Sequence, residues 1–169
     1  MSHSRPKNLI AGAAVVAIGV FAATGCGSGN DRKGASTQSV PSVKASPTTR
    51  ATVSVGTTSL GTILVDAQGR SLYLFKKDAG TKSTCSGGCA TAWPPLIAHG
   101  KPTAGRGAQA AKLGTVKRDD GSLQVTYGDH PLYLFAGDQG RGQVNGQGST
   151  AFGAPWFVLS ASGSQIATG

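Results

Sequence analysis

The stretch Gly61–Asp78, GTILVDAQGRSLYLFKKD, decides the fold because the chain contains it twice. Gly121–Asp138, GSLQVTYGDHPLYLFAGD, aligns with it at an offset of 60 residues and without gaps. A period this long indicates one supersecondary unit used twice, since a solenoid needs at least three repeats. The identical pairs are Gly61/Gly121, Val65/Val125, Leu72/Leu132, Tyr73/Tyr133, Leu74/Leu134, Phe75/Phe135 and Asp78/Asp138.

Each copy has the residue pattern of a β-hairpin. In the first copy, Thr62–Val65 is β-branched and apolar, Asp66–Gly69 favours a turn, and Ser71–Phe75 resumes a strand. Both faces of this second strand are apolar, so we expect it to be covered on both sides. The second copy has the corresponding segments Ser122–Tyr127, Gly128-Asp129 and Leu132–Phe135.

The rest of the sequence favours strands over helices. A tryptophan beside proline follows each copy, at Trp93-Pro94 and at Pro155-Trp156. Only Ala108–Leu113 suits a short helix, because no other part of the domain has a sustained 3.6-residue period. The sequence therefore predicts an all-β fold, in which two pseudo-repeated antiparallel meander or hairpin units pack as a small sandwich or barrel. The two units cover about residues 61–96 and 121–159.

The N-terminus has the features of an export signal. Arg5 and Lys7 precede the apolar run Leu9–Ala23, and small residues follow up to Cys26. The run is shorter than the roughly 20 apolar residues of a membrane-spanning helix. Because a cysteine stands at the cleavage point, the segment resembles the signal of bacterial lipoproteins, and residues 1–25 are predicted to be a lipoprotein signal peptide. An uncleaved anchor, or an ordinary signal with a chance cysteine, is the alternative.

Lipidation of Cys26 would determine the location of the protein. A thioether-linked diacylglycerol supplies two acyl chains, whereas one chain, at about 0.8 kcal/mol per buried methylene, holds a protein only marginally. We therefore expect a lipid anchor in the cell membrane, on its extracytoplasmic face, so that the membrane is a partner. Residues 26–51 are predicted to be the lipidated cysteine and a disordered tether, because Gly27–Ala51 has no aromatic residue and is mostly small and polar. Residues 52–169 then form the folded domain.

The mature chain is basic. Cleavage after residue 25 removes two of the 16 Lys and Arg and leaves 14, against seven acidic residues that are all Asp. Ala79–Arg118 contains six cations and no acid, and a solvated, solubilising surface is the first interpretation. Contact with anionic wall polymer or lipid head groups is the functional alternative, because polyanions attract such a surface within a Debye length. Nucleic acid is not expected as a partner, because the chain has no recognisable nucleic-acid-binding motif.

Cys85 and Cys89 are the other two cysteines, separated by Ser-Gly-Gly. In an exported protein such a pair is expected to form a small disulfide. A redox-active dithiol, or a metal site completed by His99, is the alternative. The spacing differs from the C-x-x-C of thioredoxin-like centres, and a second pair of zinc ligands is lacking, so the structural disulfide is favoured.

Other polar residues are weaker candidates for a site. Asp78 and Asp138 are expected to accept turn hydrogen bonds from nearby backbone N–H groups, the alternative being a shared cation site or carboxylate pair. His99 and His130 are expected to be surface histidines rather than ligands. Gly137–Gly148 is expected to be a turn-rich loop, the alternative being an anion-binding nest. We expect no enzyme, cofactor or metal, because the chain lacks a nucleophile elbow, a zincin helix and any glutamate.

The two copies both end in the motif Y-x-[FWY]-x-x-D, and the chain resembles the bacterial secreted-repeat lipoproteins that carry it. The motif residues are Tyr73, Phe75, Asp78, Tyr133, Phe135 and Asp138. The cysteine pair leading into Ala92–Leu96, and Asn145–Gly148 later in the chain, are also similar to that family. The resemblance extends over Ser59–Ser160 and implies no established activity. We therefore expect a non-catalytic binding or structural module of the envelope, with a redox or metal-handling module at the two cysteines as the alternative.

Overall fold

The structure is a computed structural model that describes residues 50–167. The signal peptide, Cys26 and all but the last residues of the tether predicted above lie outside the described residues. The strands are β1 (Thr52–Thr58), β2 (Gly61–Val65), β3 (Tyr73–Phe75), β4 (Thr103–Ala104), β5 (Leu113–Lys117), β6 (Leu123–Tyr127), β7 (His130–Pro131) and β8 (Trp156–Val158). The helical elements are α1 (Gly88–Ala92) and two 3-10 turns, Ala110–Lys112 and Ala151–Gly153.

The strands form three small sheets with the orders β2-β1-β4, β5-β6-β7 and β3-β8. All pairings are antiparallel except that of β1 with β4. No sheet closes into a barrel within residues 50–167, and the sheets pack in the manner of a sandwich, which confirms the all-β fold. In the same part of the chain, no helix has the length and hydropathy that crossing a bilayer requires.

The first copy forms only the turn end of the hairpin that the sequence predicts, where the Leu72 N–H donates to the Leu64 carbonyl at 3.0 Å and the Asp66 N–H donates to the Arg70 carbonyl at 2.9 Å. β2 pairs with β1, and its only bridge to the following segment joins Val65 to Ser71. β3 pairs instead with β8 of the second copy, with Phe75 opposite Trp156. Turn residues between β2 and β3 favour a reversal of the chain but do not decide which edge the next strand joins. Here the aromatic contacts of β3 with β8 decide it.

The second copy follows the prediction more closely up to its turn. β6 and β7 form a hairpin through Gly128-Asp129, where both residues have positive φ, 54° and 66°, as a two-residue type I′ turn requires. The predicted strand Leu132–Phe135 is wrong as a regular strand, because its backbone N–H groups go to separate segments. Leu132 donates to β6, Tyr133 to Tyr73, and Leu134 to Pro94.

The segment Leu72–Phe75 separates two hydrophobic clusters, and both of its faces are buried as expected from the sequence. Tyr73 and Phe75 point into a cluster that is largely aromatic. Leu72 and Leu74 point into a mainly aliphatic cluster on the other face, which also contains Tyr127. The alternation of a strand therefore gives the motif aromatic residues of both copies one common core.

Candidate functional site

The two copies meet at Tyr73 and Tyr133. The backbone N–H of Tyr73 donates to the carbonyl of Tyr133 at 2.9 Å, and the reverse bond measures 3.0 Å. This reciprocal pair lies at the centre of a pseudo-two-fold relationship, because equivalent residues of the two copies exchange equivalent bonds. The side chains of the motif are arranged around it.

Each motif tyrosine bonds the motif aspartate of the other copy. The Tyr73 hydroxyl donates to Asp138 Oδ2 at 2.7 Å, and the Tyr133 hydroxyl donates to Asp78 Oδ2 at 2.7 Å. Both phenolic rings are fully buried. The motif therefore joins the two copies through two crossed hydrogen bonds to carboxylates, which are stronger than bonds between neutral groups.

The second oxygen of each carboxylate accepts hydrogen bonds from the loop that follows the motif. Asp78 Oδ1 accepts from the backbone N–H and the hydroxyl of Thr84, at 2.8 and 2.7 Å. Asp138 Oδ1 accepts from the backbone N–H of Asn145 at 2.9 Å. Both aspartates thus accept backbone N–H bonds, but from residues six and seven positions further on rather than from the adjacent turn, and each also accepts a tyrosine bond that was not foreseen. Among residues 50–167 no group of three or more His, Cys, Asp or Glu is placed to hold a metal ion.

The environment of the two tyrosines keeps them protonated. Burial raises the pKa of Tyr73 well above its ordinary value, and the bond to Asp138 raises it further because an ionised phenol would face a carboxylate. Burial likewise raises the pKa of Tyr133, although the Ser83 hydroxyl partly opposes the shift. Both hydroxyls are therefore structural donors rather than acid–base groups at neutral pH.

Four aromatic rings form a continuous column beside these bonds. Trp93 and Trp156 stack at a centroid distance of 4.0 Å and an interplanar angle of 4°. Phe75 stacks on Trp156 at 4.0 Å, and Phe135 lies against Trp93 at 4.3 Å. Each tryptophan therefore packs against the phenylalanine of the other copy. Tyr73, Phe75 and Tyr133 are buried core residues, and Phe135 is partly buried against them, so these rings serve packing.

The glycine-rich loop Gly137–Gly148 packs against this column. A Cβ atom on Gly146 would lie 2.5 Å from a ring carbon of Trp93 and 3.1 Å from Phe135. The Gly146 backbone N–H points to the Tyr73 hydroxyl at 3.3 Å. Glycine is needed here because the backbone approaches the rings closely, which supports the turn interpretation of the loop over an anion-binding nest.

Cys85 and Cys89 form a disulfide, with their Cα atoms 5.3 Å apart. Both residues are buried, with 1% and 8% of their surface exposed. The bond encloses the start of α1, the helix that leads directly to Trp93. Buried sulfur atoms are poorly accessible to an attacking thiolate, so this geometry favours a structural role over a redox one.

Arg118 links the disulfide loop to the motif, and the sequence did not reveal this role. Its guanidinium donates to the Ser83 hydroxyl at 2.6 Å, to Gln124 at 2.7 Å and to the Cys85 carbonyl at 2.7 Å. Ser83 in turn bonds the Tyr133 hydroxyl at 2.8 Å. Arg118 is 8% exposed, so it does not belong to the basic surface with which its sequence neighbours group it.

The two histidines lie apart from this centre. His99 is exposed in the segment after α1. His130 is half-buried at the start of β7, where burial and the charge of Lys76 lower its pKa. Neither histidine contributes to a metal cluster within the described part of the chain.

A cleft of about 430 Å³ lies beside β1 and the turn that follows β2. It is lined by residues 54–57 of β1, by residues of that turn, and by Arg106 and Arg141. These two arginines are 35 positions apart in the sequence and belong to different loops, so no local pattern brings them together. A second cavity is also lined by two arginines, Arg50 and Arg70, but Arg70 is paired there with Asp66, whereas Arg106 and Arg141 form no ion pair within residues 50–167.

The fold and the crossed motif define this protein as a two-copy all-β repeat domain. A lipoprotein family described as a secreted repeat of unknown function matches at residues 54–97 and again at residues 114–160, together more than half of the chain. The chain belongs to this family, which confirms the resemblance noted from the sequence. Membership of a secreted family indicates a location outside the cytoplasm, in the envelope or beyond it. Neither the curated proteins nor the solved structures gave a match.

Proposed function

We propose that this protein is a lipid-anchored, non-catalytic module of the cell envelope that binds anionic wall polymer through its basic surface. The observation that carries the proposal is the lack of acidic partners for its cations. Within residues 50–167 only two arginines, Arg70 and Arg118, form ion pairs. The other Lys and Arg of that part of the chain have no carboxylate within salt-bridge distance: Arg50, Lys76, Lys77, Lys82, Lys101, Arg106, Lys112, Lys117 and Arg141.

The buried interior supports binding rather than catalysis. The tyrosines and aspartates of the motif are engaged with one another and with loop backbone, so the geometry gives them a structural role. Surface cations without acidic partners attract polyanions over about a Debye length, roughly 10 Å at 0.1 M salt. Such binding weakens as salt rises.

The anchor is tested by metabolic labelling with palmitate. The wild-type chain is expected to carry the label and to fractionate with membranes, whereas Cys26→Ser should lose the label, because a serine oxygen cannot form the thioether. Retention of label in Cys26→Ser would refute the lipid anchor. The label is the deciding measurement, since an uncleaved signal by itself could hold the variant at the membrane.

Polymer binding is tested with the full-length chain in an uncharged detergent. We expect it to sediment with polygalacturonate and with a phosphate-rich wall polymer at about 0.05 M salt and to be released at about 0.5 M salt. Dextran is the neutral control and should not retain it. Equal retention on dextran and on the anionic polymers would refute the electrostatic proposal.

A further inference from the structure

The cleft is built from three parts of the chain that the fold holds together. β1 lines it, and the carbonyl of Arg106 accepts a hydrogen bond from the backbone N–H of Val55 in β1 at 2.9 Å. The backbone N–H of Gly142 donates to the carbonyl of Gly69, in the turn after β2, at 3.2 Å. Backbone hydrogen bonds therefore fix one arginine-bearing loop to β1 and the other to the turn after β2.

Glycine at position 69 lets Arg141 approach the turn closely. Gly69 has φ +81°, and a Cβ atom there would lie 3.1 Å from the Cγ of Arg141. The aliphatic part of the Arg141 side chain thus packs against the backbone of the turn at Gly69, while Arg141 as a whole remains exposed to solvent. This contact restrains the Arg141 side chain and so holds its guanidinium at the cleft.

The cleft carries a net positive charge. Arg106 and Arg141 donate no side-chain hydrogen bond and form no ion pair within residues 50–167. Asp66 also lines the cleft, but it is 3% exposed and its oxygens are occupied. One oxygen accepts from the backbone N–H groups of Gln68 and Arg70, and the other accepts from the Arg70 side chain at 2.8 and 2.7 Å.

We propose that this cleft binds one anionic sugar unit of the wall polymer, with Arg106 and Arg141 on its phosphate or carboxylate group. Guanidinium groups bind both anions with paired hydrogen bonds, and residues 54–57 of β1, which line the cleft beside the arginines, add polar groups for the rest of a sugar. A volume of about 430 Å³ falls in the range of small-molecule sites. The proposal rests on the proposed function and names the place where the polymer is recognised.

The test compares two double variants of the full-length chain in uncharged detergent. Arg106→Gln/Arg141→Gln removes both cleft charges, and Lys101→Gln/Lys117→Gln removes two exposed charges that do not line the cleft. Glucose 1-phosphate, glucuronate and glucose are titrated into each protein by calorimetry. We expect the anionic sugars to bind the wild type, the cleft variant to lose affinity by at least about tenfold, and the control variant to lose less than about threefold.

The outcomes separate the site from the function. The sedimentation assay with the anionic polymers is repeated with both double variants. If they lose polymer affinity equally, the cleft is refuted while polymer binding stands. If the wild type binds no anionic polymer, the proposed function itself is refuted. Binding to phosphatidylglycerol vesicles that is reduced only in the cleft variant, with no binding of the sugars, refutes the sugar site in favour of lipid head groups. Arg106→Lys/Arg141→Lys, which keeps the charge but not the paired donors, should bind with intermediate affinity.

Discussion

The hydroxyl of Tyr73 lies 2.7 Å from Oδ2 of Asp138, although 65 residues separate them in the chain. Tyr133 and Asp78 repeat the contact at the same distance. Each copy of the motif thus provides the donor for the other copy's acceptor. The tyrosine and the aspartate of one copy therefore do not bond each other; each bonds its counterpart in the other copy.

The crossed bonds should stabilise the domain measurably. Tyr73→Phe is expected to lower the free energy of unfolding by about 1–3 kcal/mol, because the buried Asp138 carboxylate loses a donor. Tyr133→Phe should cost a similar amount. Urea unfolding measures both, and a double-mutant cycle of Tyr73→Phe with Asp138→Asn should give a coupling energy well above zero. Additive losses in that cycle would contradict the role assigned to the pair.

Alkaline pH should destabilise the fold through the same tyrosines. Their pKa values are raised in the folded state, so the unfolded chain releases its phenolic protons first, near pH 10. The stabilisation is fully present below about pH 10 and is lost as the pH rises towards the folded-state values. The urea midpoint, followed together with tyrosinate absorbance, should fall above pH 10 in the wild type. It should fall less in Tyr73→Phe/Tyr133→Phe, and an equal fall in both proteins would exclude these two groups as its cause.

Because the Gly146 backbone approaches the aromatic column closely, we expect alanine to destabilise the domain at Gly146 but not at Gly88. Gly146→Ala should destabilise the domain by about 1–3 kcal/mol, because its methyl group would overlap the Trp93 ring. Gly88→Ala is the matched control, since a Cβ there meets nothing within 4 Å, and its effect should stay within about 0.5 kcal/mol. Urea midpoints compare the two, and equal midpoints would show that the loop moves away from the ring without cost.

The Cys85–Cys89 bond should be structural and modest in its effect. Closing so short a loop stabilises the fold by about 2 kcal/mol on the loop-entropy model, so reduction should lower the urea midpoint without abolishing folding. Native protein should show no reactive thiol from this pair, and a glutathione buffer near −200 mV should leave it oxidised. Rapid exchange at that potential would instead support the redox alternative. Cys85→Ala/Cys89→Ala is the control, since reductant should not shift its midpoint.

The sequence predicted the features of this fold that depend on short-range chemistry. The I′ turn at Gly128-Asp129 and the disulfide follow from residues close together in the chain. The all-β class follows from the apolar pattern of the repeated stretch. The buried faces of Leu72–Phe75 follow from the same pattern, because apolar residues on both sides of a strand require cover on both sides.

The features that the sequence did not reveal are all contacts between distant segments. A local hairpin and the observed pairing of β3 with β8 use the same residues, so propensity cannot separate them. In the sequence Arg118 looks like one more surface cation beside Lys117, yet it lies just after β5 and its guanidinium donates inward to Gln124. The cleft combines Arg106 with Arg141 from separate loops, and only the folded chain brings these together.

The exchange of partners between the copies makes this single chain the covalent equivalent of a symmetric homodimer. A polypeptide with one copy alone would leave its tryptophan without a phenylalanine and its tyrosine without an aspartate. Two such polypeptides would have to associate, and most of them would be paired only above the dissociation constant of the pair. The linking segment between the copies removes this dependence on concentration, because it holds the two halves at a high effective concentration however dilute the protein is.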